Sequence, residues 1–215
     1  MPTRLARWSP ASGIVFAVLF LAMLFLFGDI PSADSSDATV VAYFLDHSHQ
    51  LRLEFAFFGA TIAVAFFLWF VGTLAAHLGP GPPSRVVVAS GAAAGVVFLA
   101  GLACNAALVS VADHTDAFKL DPNTARLLSD FAYPLTFETG LPFAAPLVLA
   151  ASIAGGFPTW LRRSGYVVAL ACILGFLGVP MGLFLIWVVV VSVLLVRRPA
   201  PNPAQSVSSP LPEGS

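Results

Sequence analysis

Residues 165–196, GYVVALACILGFLGVPMGLFLIWVVVVSVLLV, form the longest apolar stretch of the chain, and their reading decides the fold. As one helix these 32 residues would run about 48 Å at 1.5 Å per residue, far beyond a bilayer core of about 30 Å. Gly178-Val179-Pro180-Met181-Gly182 stands in the middle, and glycine and proline at such density turn a chain. The stretch therefore predicts two short helices, 160–177 and 181–196, the first extended by Arg162 and Arg163 snorkelling.

Upstream, four more apolar runs end in punctuation of the same kind. Residues 11–27 follow two arginines, Arg4 and Arg7, and resemble a signal peptide in layout. The run is long for one and no A-x-A site follows, which predicts a retained span. Residues 53–78 close on Gly79-Pro80-Gly81-Pro82-Pro83, a strong helix stop. Residues 86–111 follow, and then 131–156, interrupted by Pro134, Pro142 and Pro146. The sum is an all-α polytopic bundle of six spans over residues 1–198, with a Pro- and Ser-rich tail, 199–215, expected to be disordered.

Composition points to the same solvent. Apolar residues are 58% of the chain, charged residues 10%, and mean hydropathy is +0.89. A soluble domain carries about 25% charged residues and could not hide so much apolar surface. The net charge is −1 with no basic block, which excludes a nucleic-acid footprint. Cys104 and Cys172 lie in apolar runs without a CxxC partner and read as packing residues.

Charge placement sets the orientation. Six spans put Arg4, Arg7, Arg85, Arg162, Arg163, Arg197 and Arg198 on one side and Arg52, Lys119 and Arg126 on the other, seven against three. Five spans move Arg197 and Arg198 across and leave five against five. The positive-inside rule thus predicts six spans with both termini cytoplasmic; arginine in place of lysine, with heavy use of Ala, Val and Pro, reads as a GC-rich bacterial chain and predicts a bacterial cytoplasmic membrane. Two acidic loops, 28–52 and 112–130, then face outward. Each predicts a short amphipathic helix near the membrane surface, Asp37 capping residues 39–49 and Asp121-Pro122 opening 123–130. These loops are the expected contact surface for a protein partner.

Glu138 is the most informative residue for function. It lies about 10 Å inside the fourth span by helical rise, where a carboxyl group is costly and functional by default. Pro142 withholds the amide that would bond its carbonyl. Asn105 stands at about the same depth on the third span, so Glu138, Asn105, Glu54, Thr136 and Thr139 predict a polar patch in a shallow outward cavity. His47, His49 and His114 gather on the same side with acids beside them, but their spacing matches no zinc motif and no metal is expected. Gly91 and Gly95 form a GxxxG stripe suited to close helix packing, within the bundle or in a homo-oligomer. Ala11-Ser12-Gly13 and Ala89-Ser90-Gly91 open two spans of equal orientation, the mark of a duplicated hairpin. No HExxH, P-loop or GxGxxG occurs, so zincin chemistry and nucleotide use lack support, and no cofactor is implied.

Ser9-Pro10-Ala11-Ser12-Gly13, Val40-Val41-Ala42-Tyr43-Phe44, and Phe157-Pro158-Thr159-Trp160-Leu161 followed by Gly165 resemble a family of small bacterial multi-pass membrane proteins of unknown function. Arg162-Arg163-Ser164 stands where such proteins more often carry small residues. The resemblance implies the six-span layout and no activity. The expected role is a non-enzymatic accessory or partner-binding membrane protein. The alternatives are a small transporter or ion-coupled carrier using Glu138 in the proline-broken span, and a membrane enzyme using Glu54 with Glu138. The charge count makes one direct prediction: topology reporters fused at either terminus will both read the cytoplasmic face. A carboxy-terminal reporter active only on the far side would instead require an odd number of spans.

Overall fold

Leu53, Ala56, Ala60, Ala63, Phe67, Phe70 and Leu74 recur every three or four residues, and all are buried. Their helix, by contrast, turns Phe55, Phe58, Ile62 and Trp69 outward. An apolar stripe inside an equally apolar exterior is the pattern of a helix packed in a bundle whose outside meets lipid. The computed structural model describes residues 8–28, 30–31, 34–113, 120–154, 156–175 and 180–197. Among these residues there is no strand. A 3-10 turn, Ser9–Ala11, leads into α1, Ser12–Phe27. Then come α2, Asp37–Leu45, α3, His47–Leu78, and α4, Pro82–Asp113. Helix α5, Pro122–Tyr133, passes through a π-helical turn, Pro134–Thr139, into α6, Gly140–Ala154. Helices α7, Thr159–Ile173, and α8, Pro180–Arg197, complete the chain.

Among the described residues five stretches are long and apolar enough to cross a membrane: Ser9–Phe27, His47–Leu78, Pro82–Ser110, Pro122–Ala154 and Pro180–Arg197. The expected span 160–177 is not among them. Its helix α7 has 15 residues, about 22 Å at helical rise, against the 20 or so residues a bilayer needs. Residues 176–179, the end of that expected span and the first two residues of the expected turn, and the tail 199–215, lie outside the described residues.

Local chemistry explains two departures from the expected boundaries. Ser36, not Asp37, caps α2, its hydroxyl accepting from the Thr39 amide at 3.2 Å. Asp46 then breaks the helix with an extended backbone and caps α3 through Ser48 and His49, so α3 starts six residues earlier than expected. The second departure concerns α5, expected to lie apart near the membrane surface. Asp121 caps it and Pro122 opens it as the sequence predicts, but Pro134 does not end it. Tyr133, Pro134 and Gly140 all keep helical dihedrals, and the Gly140 amide reaches back five residues to the Leu135 carbonyl. The π register absorbs the missing proline amide, and α5 with α6 forms one continuous rod.

Small residues bring the rods together. Gly91 meets Val71 of α3 and Leu147 of α6, and Gly95 meets Val64 and Leu68 of α3. The GxxxG stripe is therefore occupied inside the chain, where a second copy would have to displace α3 or α6. Gly13 meets Phe70 of α3 and Ser192 of α8, so the two Ala-Ser-Gly openings rest on adjacent residues of α3. A layer of aromatic rings crosses the middle: Phe16 on Phe67 at 4.8 Å, Phe20 on Phe98 at 5.7 Å and Phe67 on Phe184 at 6.0 Å.

Gly101 tests this packing most directly. A β-carbon there would stand 2.9 Å from the Thr136 amide nitrogen and 3.0 Å from the Ala132 carbonyl oxygen, backbone atoms that cannot rotate away. Gly101→Ala is expected to lower stability by about 1–3 kcal/mol. Gly72→Ala, with nothing within 4 Å, should be neutral or gain from alanine's helix preference. Thermal unfolding in detergent measures both.

Candidate functional site

The α2–α5 end of the bundle is tied by two arginines. Arg126 of α5 pairs with Asp37 of α2 at 2.7 Å and donates to the Ser35 carbonyl at 2.6 Å. Arg52 of α3 donates to the Tyr43 hydroxyl at 2.8 Å. Tyr43 in turn stacks on His49, ring centroids 4.2 Å apart. The Arg52 guanidinium also packs on Gly28, where α1 ends with φ near 60°, and a β-carbon there would be 3.0 Å from it. The two acidic loops thus fold against each other and against the helix ends.

Beneath this cap a cleft of about 720 Å³ opens between α1, α4 and the α5–π segment. That volume lies within the roughly 300–1,000 Å³ of small-molecule sites. Leu24, Phe27, Leu102, Tyr133 and Phe137 supply apolar wall, and Asn105, Ser129, Asp130 and Thr136 supply polar wall. Asn105 is 7% exposed, and its Oδ1 is enclosed without a hydrogen-bond partner. Such an acceptor costs about 1–3 kcal/mol while it stays empty. Thr136 is 2% exposed, pressed on Gly101.

Of the five residues expected to share a cavity, the structure brings together Asn105 and Thr136. Glu54, Glu138 and Thr139 are exposed and line no part of the cleft. The correction has a physical cause. At about 100° per residue, two residues along a helix lie about 200° apart, so with Thr136 turned onto Gly101 and the cleft, Glu138 faces the opposite way. The α6 residue nearest this point that faces inward is Gly140, against the Phe98 ring. Asp130 and Tyr133 are wall residues that sequence reasoning missed. The signal available for them was the amphipathic pattern of α5, read as a separate surface helix and not as the outward half of the fourth rod.

His47 is exposed, His49 is held by the Tyr43 stack, and His114 lies outside the described residues. Among the described residues no group of three metal-ligating side chains converges.

Comparisons with protein-family models, with curated proteins and with solved structures return no match for this chain.

The caps at this end titrate. The Ser48 hydroxyl, then the Ser48 amide, hold the Asp46 carboxyl below its ordinary value of 3.8. The Thr124 hydroxyl, then the Thr124 amide, do the same for Asp121. Because each folded carboxyl gives up its proton more readily than the unfolded one, its contribution is complete above about pH 4 and is lost as the pH falls through and beneath that value. Amide exchange at Thr124, corrected for intrinsic rates, should therefore quicken at pH 3 relative to mid-helix α5. Asp121→Asn, which caps without titrating, should abolish that pH dependence.

Proposed function

We propose that this chain is a non-enzymatic accessory protein of the bacterial cytoplasmic membrane, of the small multi-pass kind it resembles, acting through contact with another membrane protein. The observation that carries this reading is the position of Glu138. Its carboxyl is exposed together with Thr139 on the outside of the bundle. It stands two residues before Gly140, which abuts the Phe98 ring, and Phe98 in turn packs on Phe20, close to the middle of the Ser9–Phe27 stretch. An acidic side chain facing lipid at that depth costs about 2.5–3.5 kcal/mol on insertion scales. A partner helix bringing a hydroxyl, amide or cationic donor offsets that cost. The carrier reading needs Glu138 at a cavity, and the cleft wall is built without it.

The proposal includes six spans with both ends cytoplasmic, and the course of α7 supports it. Gly165 packs on Ser152 and Trp187, while Gly175 packs on the Phe137 carbonyl, Leu141 and Pro142. Helix α7 thus travels antiparallel to α6 over most of α6's length. Helix α8 returns beside α1 until Ser192 meets Gly13. At the start of α7, on the proposed inner side, Arg162 donates to the Ser152 carbonyl at 3.0 Å.

A photo-crosslinking amino acid at position 139 of the full chain, in native membranes, should yield a discrete protein adduct. Glu138→Leu should abolish it, and Glu138→Gln, which keeps hydrogen bonding, should retain most of it. Adducts to lipid alone in the unaltered chain would refute the partner reading.

A further inference from the structure

The cleft is graded along its depth. Leu24, Leu102 and Phe137 line its floor. Asn105 lies one turn beyond Leu102 on α4, toward the α2–α5 end, and Asp130 lies about two turns before Phe137 on the opposite wall. Asp130 is the one acidic side chain among the described lining residues, and no cationic side chain is among them. Across the mouth Gly28 forms the other lip, with the Arg52 guanidinium packed on it. Between floor and lips, the enclosed Asn105 Oδ1 has no donor.

An apolar floor, an unpaired acceptor above it, an acid at the rim and the Arg52 guanidinium behind the Gly28 lip match the polarity of a single amphiphile. We propose that the cleft holds one membrane lipid with a zwitterionic, ammonium-bearing head group. Its acyl chain lies against Leu24, Leu102 and Phe137. The ammonium sits at Asp130, a head-group or glycerol donor serves Asn105 Oδ1, and the phosphate points to Arg52. The lipid belongs to the leaflet at the α2–α5 end, the outer one in the proposed orientation. An anionic head lacking the ammonium would leave Asp130 facing like charge. The site is separate from the partner face of Glu138 and stands whether or not a partner covers that residue.

The full chain, reconstituted in nanodiscs with equal phosphatidylethanolamine and phosphatidylglycerol and released into mild detergent, tests this by native mass spectrometry. One phosphatidylethanolamine per chain is expected, preferred by about tenfold, the ratio that one charge-assisted contact supplies. Asp130→Asn should erase the preference, and Leu24→Trp, which fills the floor, should remove bound lipid of either kind. Equal retention of the two lipids by the unaltered chain, or a lipid retained by folded Leu24→Trp, overturns the proposal. If Leu24→Trp does not fold, Asp130→Asn decides alone, because its side chain is exposed and an unchanged preference there is equally fatal. Loss of the position-139 adduct would leave these lipid counts untouched, so the two proposals fail separately.

Discussion

Helix α4 can stand between α3 and α6 only where side chains are absent from the contact. Gly91 and Gly95 admit the branched side chains of α3 and Leu147 of α6, and Gly101 lets α4 touch the backbone of the π turn itself. Hydrocarbon gives helices no hydrophobic reason to associate, so close packing must supply the attraction. The ring layer of Phe16, Phe20, Phe67, Phe98 and Phe184 fills the space that the glycines leave open. Tilted and edge-to-face aromatic pairs of this kind add about 0.5–1.5 kcal/mol each. With α4 fixed against two neighbours, the remaining helices have few places to go.

The proline-rich fourth rod turns this packing into a site. Pro134 cannot donate to the preceding turn, and the chain answers with a π register from Pro134 to Thr139. Gly175 presses against the Phe137 carbonyl where that register begins to unwind into α6. The same turn sets Thr136 on Gly101 and leaves Phe137 and Tyr133, ring centroids 4.8 Å apart, on the cleft wall. Glu138 and Thr139 are carried to the outside. Thr136 and Glu138, two residues apart and so on opposite faces, thus set a ligand-sized cleft and an exposed acid on one span.

Helix lengths leave room for the cleft. Helices α3 and α4 have 32 residues each, whereas α7 has 15 and α8 has 18. At 1.5 Å per residue the first pair outreaches the second by roughly 20 Å or more. Gly175, just past α7, is level with Phe137 and Leu141, and no residue of α7 or α8 is among the described lining residues of the cleft. The gap between the end of α1 and the α5–π segment is closed instead from the far end, by α2 and by the Arg126–Asp37 and Arg52–Tyr43 links.

Periodicity, glycine-proline punctuation and hydrophobic length were enough to read helices, a membrane-like exterior and most boundaries directly from the residues, because a chain in hydrocarbon must satisfy its own backbone and helices do so locally. Gly79, Asp121 and Pro122 act where their chemistry says they should, since caps depend on neighbours three or four residues away. Equal depth by helical rise paired Asn105 with Glu138, whereas the cleft wall holds Asn105 with Thr136 and leaves Glu138 outside. Which way Glu138 faces, which glycines meet which helix, and that α5 belongs to the fourth rod were decided only by tertiary structure. Those outcomes turn on a π register and on contacts between residues far apart in sequence, and rotation about a helix axis leaves no trace in a hydropathy pattern that is apolar on every side.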